Sequence, residues 1–183
     1  MFKSFVKKQL QAFGRRWGYD TRYMQEIVDE AGVAAVMPLQ ALGKLGGYRK
    51  VPADVYAGAT LTASKAADCG PCLQLGVRMA EDAGVNPQTI RAILERDYAK
   101  LSKETLLGVE LALGTIARDD TGEEARDQIL RRWGRAGLVS LGYGIVAAQA
   151  YPTFKYAIGH GRACQRVSIA GETIEMARSS QYA

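Results

Sequence analysis

Cys69–Gly70–Pro71–Cys72 is the stretch of this chain where residue type and spacing together carry chemistry. Two cysteines separated by two residues can close a small disulfide, and Gly-Pro shapes the turn between them. Pro71 fits the first turn of a helix, where its missing N–H costs nothing. Unpaired backbone N–H groups and the positive end of the helix dipole then face the first sulfur and favour thiolate over thiol. Cys72, a turn inside, is suited to attack a mixed disulfide held on Cys69 and release the partner. The plainer alternative is two small core residues at a helix junction, since free cysteine packs as an apolar group. A zinc site needs three or four ligands, and only Cys164 and His160 remain as further thiol or imidazole donors. No metal is therefore expected, and no organic cofactor either, because no phosphate-cradling glycine motif is present.

Several neighbours have the chemistry to assist. Asp68 precedes Cys69 and can carry protons or cap the next helix. Lys65 lies four residues before Cys69; on a continuing helix its ammonium would share that face and favour thiolate, and otherwise it is a solvated lysine. His160 is the single histidine and Cys164 follows it by four, a spacing that brings them together on a helix. Gly159 and Gly161 argue instead for a helix end there. Gln74 can hydrogen-bond near the pair or lie on the surface. Tyr56, Tyr143, Tyr151 and Tyr156 are core or interface candidates, and Trp17 and Trp133 read as packing residues.

The elements that position these groups have helical periodicity almost throughout. Residues 1–13 form a basic amphipathic helix. Residues 19–35 form a second, capped by Asp20 or Thr21. Pro38, Gly43, Gly46, Gly47 and Pro52 make 36–52 mostly loop, with one helical turn around Leu39–Leu42. A small-residue helix over 54–67 leads to the dithiol, and another runs from there to about Ala83, stopped by Gly84. Asn86–Pro87 starts a helix to about Arg96. Ser102 caps the next, with Leu106, Val109, Leu113 and Ile116 as its stripe. Thr121 and Glu124 have capping-box spacing for a helix to Trp133. The most apolar helix spans 138–158, broken or kinked at Pro152. After Gly161, Val167 and Ile169 alternate with polar residues before Ala170–Gly171, which reads as a small hairpin or an extended arm.

Composition sets the outer limits. The chain has 183 residues, 48% hydrophobic and 23% charged, enough for one globular domain and unlike a disordered chain. Its net charge of +5 is spread from Lys3, Lys7 and Lys8 to Arg131, Arg132 and Arg135 rather than concentrated in a stripe, so no nucleic-acid partner is expected. Three cysteines, two of them a turn apart, are not a secreted disulfide framework. The uncharged run 136–154 touches the length of a membrane span but contains Ser140, Gln149 and Pro152, so it reads as a buried helix, with no membrane partner. A cytoplasmic location follows from these features.

The tetrad is shared with thioredoxins, but that fold needs a β-strand before the motif, and helix precedes it here. A dithiol at a helix–helix junction, in a helical chain of this size, resembles the alkylhydroperoxidase D and carboxymuconolactone decarboxylase superfamily. The likeness runs from about Val51 to Val85. More loosely it extends to Cys164 through Arg132–Trp133–Gly134 and Tyr151–Pro152–Thr153–Phe154–Lys155–Tyr156–Ala157. It implies an all-α, AhpD-like helical bundle over 51–165, an N-terminal helical extension over 1–50, a C-terminal tail over 166–183, and a homo-oligomer (dimer, trimer or hexamer). Members that reduce peroxides use a relay glutamate twelve residues before the first cysteine. They also carry histidines immediately before the second cysteine and four residues after it, and the C-terminal cysteine is thought to meet substrate. Here the relay positions hold Ala57, Pro71 and Gly76.

The expected function is therefore thiol–disulfide exchange at Cys69 and Cys72, with weak hydroperoxidase activity. The expected partners are a disulfide or hydroperoxide substrate and a thiol reductant. A non-enzymatic oligomeric interaction protein that retains the fold is the main alternative. A non-redox enzyme like the decarboxylase branch lacks a supporting acid–base set.

Overall fold

A computed structural model describes residues 2–162 and 166–176. The chain is mostly helical, with eight α-helices and one two-stranded sheet among the described residues. The helices are α1 (Phe2–Trp17), α2 (Arg22–Glu30), α3 (Val33–Leu45), α4 (Ala53–Ala66), α5 (Gly70–Asp82), α6 (Pro87–Glu95), α7 (Lys103–Ala117) and α8 (Glu123–Ala157). Strands β1 (Arg166–Ile169) and β2 (Glu172–Glu175) follow, paired antiparallel with Val167 opposite Ile174. No helix among the described residues is long and apolar enough to cross a membrane.

Local signals account for most boundaries. The Asn86 side chain accepts from the Gln88 N–H at 2.8 Å, and Ser102 Oγ accepts from the Thr105 N–H at 3.1 Å, each satisfying an orphan donor of a first turn. Gly84 and Gly18 take positive φ just beyond α5 and α1. Asp20, rather than the N-cap Thr21, accepts from the Arg22 N–H at 3.0 Å.

Five expectations need correction. Residues 36–52 are not mostly loop. Gly32 at φ +88° splits the predicted second helix, and α3 runs through Pro38. Proline there removes one backbone bond, and the burial of Val36 and Leu39 in the N-terminal apolar cluster offsets it. Pro152 does not break α8; the non-helical residue within it is Gly134, at φ 64° and ψ −171°, a conformation suited to glycine. Thr121 does not cap α8; its N–H is held by Asp119 in a short 3₁₀ turn. On α7 the buried side is Leu107, Val109, Leu111 and Ala112, with Leu113 at the surface.

Helix α4 is the axis of the molecule. Its small side chains let α7 approach almost to backbone contact. A Cβ on Gly108 would lie 2.2 Å from the Val55 carbonyl oxygen, and one on Gly58 would lie 2.6 Å from that of Thr105. Gly108→Ala is therefore expected to force the two helices apart and lower stability by about 1–3 kcal/mol or more, read as a fall in the urea midpoint at constant m-value.

Two flanking pieces complete the site. The N-terminal helices share one apolar cluster with Leu75 of α5 and with Tyr151 and Phe154 of α8. Arg78 of α5 donates to the carbonyls of Trp17 and, at 2.7 Å, Gly18, fixing the turn that carries Tyr19. The hairpin is docked rather than loose. Gln74 of α5 brackets Ser168 as a strand would, accepting its N–H at 2.7 Å and donating to its carbonyl at 2.9 Å. Val167 and Ile169 are buried against α5 and α6.

Candidate functional site

Cys69 is the N-cap of α5, with extended backbone (φ −109°, ψ 101°), and Pro71 lies in the first turn. The two sulfurs are 2.7 Å apart, both free thiols sharing a hydrogen bond. Cys69 is 0% exposed and Cys72 9%. The Cys69 sulfur accepts the S–H of Cys72 and the backbone N–H groups of Cys72 and Arg162. Gly70 N–H in turn donates to the Arg162 carbonyl at 3.0 Å, which ties the chain after α8 to the start of α5.

These contacts place one negative charge on the pair and locate it on Cys69. The hydrogen bond from Cys72 is the main cause, burial opposes it, and the Cys72 N–H, the Lys155 ammonium and the Arg162 N–H add to it. Together they lower the Cys69 thiol to about 6. Cys72 moves the other way, raised by its hydrogen bond to Cys69, by burial and by the charge on its neighbour.

Lys155 and Tyr19 were not singled out from the sequence as site residues. Lys155 is 4% exposed, and no carboxylate forms an ion pair with it among the described residues. Its ammonium donates to the Tyr19 hydroxyl at 3.4 Å and lies 5.3 Å and 5.0 Å from the ring centres of Tyr19 and Tyr23. Tyr19 hydrogen-bonds Cys72 and stands 3.5 Å from the Tyr23 hydroxyl. Burial pushes both phenols well above their ordinary range, so they remain protonated donors. A buried lysine beside a helix end looks like any other lysine in the sequence. The only available hint was its position within the run Tyr151–Ala157.

The residues singled out from the sequence have other placements. Lys65 donates to the Leu94 carbonyl at the end of α6. Asp68 sits at φ 47° in the turn between α4 and α5, where its carbonyl accepts from the Tyr156 hydroxyl at 2.8 Å. The cap of α5 is Cys69, not Asp68. His160 pairs with Glu26 at 3.2 Å and packs beside Tyr23. Cys164 lies outside the described residues. Tyr56 is buried, Tyr151 half-buried, and Tyr143 and Tyr156 exposed. Trp17 and Trp133 pack against apolar clusters.

A cavity of about 250 Å³ opens beside the pair, between α1, α2, α3, α4, α5 and α8. Cys72 lines it and Cys69 does not. A molecule entering this space meets Cys72, while Cys69 can reach it only through Cys72.

The charge on Cys69 also sets a pH dependence of stability. Cys69 stays ionised down to about 6 in the fold, against 9.0 for an ordinary thiol. Between these values the unfolded chain binds the extra proton, so stability rises with pH, and it is lost as pH falls through 6. The raised Cys72 reverses the slope above about 9, where the unfolded thiol ionises and the folded one does not. Relative to Cys69→Ala/Cys72→Ala, the reduced protein is therefore expected to gain stability between pH 6 and 9. Urea unfolding under reductant at a series of pH values measures it.

Comparison with known protein families, with curated proteins and with solved structures finds no match to this chain, so the chemistry assigned to the site rests on its own geometry.

Proposed function

We propose that this chain is a thiol–disulfide oxidoreductase with an AhpD-like arrangement, in which Cys72 reacts with substrate and Cys69 is its base and resolving thiolate. The observation that carries this is the sealed, charge-stabilised Cys69 in hydrogen-bond contact with a Cys72 that borders a cavity. As Cys72 attacks one sulfur of a substrate disulfide, its proton passes along the existing hydrogen bond to Cys69. The substrate S–S bond breaks, a mixed disulfide forms on Cys72, and the first substrate thiolate leaves with that proton. Cys69 then attacks the Cys72 sulfur, the mixed disulfide breaks, and the second thiolate leaves, taking a proton delivered from solvent past Lys155 and Tyr19. Two electrons have moved to the substrate, and a thiol reductant restores the dithiol.

Weak hydroperoxidase activity fits the same pair. The positions of the family's relay hold Ala57, Pro71 and Gly76, none of which moves a proton, and Lys155 and Tyr19 are the remaining proton donors near Cys72. A dithiol that must be re-reduced suits a reducing compartment such as the cytoplasm.

Mass spectrometry after mild oxidation, with and without reductant, tests the proposal. A reversible loss of two hydrogens between Cys69 and Cys72 is expected, and two thiols that stay alkylatable under disulfide or peroxide challenge refute it.

A second reading, an oligomeric interaction protein without catalysis, draws on the exposed Val139, Tyr143 and Val146, spaced along one face of α8. Self-association through that face is compatible with either reading, and light scattering measures it. Cellular function retained by Cys69→Ser/Cys72→Ser favours the second.

A further inference from the structure

The cavity beside Cys72 has features that disulfide exchange alone does not need. Its walls are chiefly apolar, from residues such as Phe13, Met24, Leu75 and Met79. Its buried end carries Cys72, and its mouth carries Arg49, which is exposed and yet lines the same space. Arg49 makes no ion pair with a carboxylate among the described residues. Its Nε donates to the Gly46 carbonyl at 3.0 Å and its guanidinium lies 4.8 Å from the Tyr56 ring centre. Arg49 also donates to the Tyr56 hydroxyl; these contacts hold the guanidinium plane and leave its other N–H groups for another acceptor. The buried Tyr56 hydroxyl reaches the same spot, 3.4 Å from the Gly46 carbonyl.

We propose that this cavity binds a small amphipathic carboxylate, such as a medium-chain fatty acid. The carboxylate sits on Arg49 and Tyr56 at the mouth, and the chain lies along the apolar walls toward Cys72. A planar guanidinium with free terminal donors matches a carboxylate in bidentate fashion. The apolar walls disfavour sugars and nucleotides, whose many polar groups would lose water without replacement. The volume lies just under the roughly 300–1,000 Å³ usual for small-molecule sites, which excludes a bulky lipid or a folded peptide segment. Bound ligand covers the Cys72 sulfur, so occupancy controls access to the dithiol. That consequence rests on the redox reading, but binding itself needs neither sulfur.

Calorimetric titration of the full chain with decanoate, and with decanol as its uncharged counterpart, tests the proposal without any substitution. Saturable binding of one decanoate per chain is expected, with decanol at least several-fold weaker. Arg49→Glu is expected to weaken decanoate at least tenfold and Arg49→Lys less. Decanoate is also expected to slow alkylation of Cys72 in the wild-type protein. The absence of saturable decanoate binding, equal affinity for decanol, or an unchanged affinity in Arg49→Glu overturns it. Binding that persists in a wild-type chain whose thiols fail to cycle upholds the ligand site and removes the redox reading alone.

Discussion

Cys72→Ala is expected to abolish dithiol cycling and, in the same protein, to return Cys69 toward an ordinary thiol. The first effect follows because one sulfur cannot resolve a mixed disulfide. The second follows from the order of the causes acting on Cys69. The hydrogen bond from Cys72 is the largest of those that lower it, and burial acts in the opposite direction. Without that bond the remaining donors, the backbone N–H groups and the Lys155 ammonium, act against undiminished burial. The Cys69 midpoint should therefore climb from about 6 by roughly 1–3 units. Thiolate absorbance in the ultraviolet, followed against pH, reads this directly even though Cys69 is sealed from reagents. Cys72→Ser keeps a hydroxyl donor at the same place and should fall between the wild type and alanine. A Cys69 midpoint that ignores both substitutions would mean the charge is not held by the partner thiol.

Lys155→Met carries the second large effect. A buried ammonium is costly unless opposite charge or aromatic faces compensate it. Here the compensation comes from Tyr19, Tyr23 and the cysteine pair, to whose charge Lys155 is electrostatically coupled. Methionine keeps the length and packing while removing the charge. Cys69 is expected to rise by about one unit from about 6, which roughly halves the thiolate at neutral pH and lowers it roughly tenfold near pH 5, with the rate of exchange following where thiolate limits it. Stability should respond differently at the two ends of the pH range. Below pH 6 both thiols are protonated and the buried Lys155 cation keeps only its electrostatic coupling to the Asp20 carboxylate, so methionine costs little there. Above that value the thiolate loses its counter-charge and methionine destabilises. Lys155→Arg should keep the low thiol midpoint if the larger head is accommodated. A purely structural lysine would instead change stability without moving the pH–rate profile, which makes that profile the deciding measurement.

The N-terminal helices bear on both predictions. They were expected as an extension, but they provide Tyr19 and Tyr23, and their apolar cluster closes over the start of α5. Arg78, bound to the carbonyls of the turn before Tyr19, sets where that phenol stands. The site is thus assembled from three distant parts of the chain: Tyr19 before α2, the dithiol at the start of α5, and Lys155 near the end of α8.

What the sequence determined by itself was whatever acts within a few residues along the chain. The dithiol at a helix start follows from Gly-Pro between two cysteines. The caps at Asn86 and Ser102 follow from side chains that reach their own backbone, and the turn at Ala170–Gly171 from alternating residues on either side. Only the tertiary structure decided that Pro38 lies inside a helix, that α8 continues through Pro152, and that His160 faces Glu26. It also decided that Cys72 rather than Cys69 borders the cavity, and that Lys155 supplies the positive charge instead of Lys65. Capping and turn geometry are short-range and recorded in neighbouring residues. Burial and charge pairing depend on which surfaces meet, and a lysine 86 positions from a cysteine becomes its counter-ion only once packing removes the water between them.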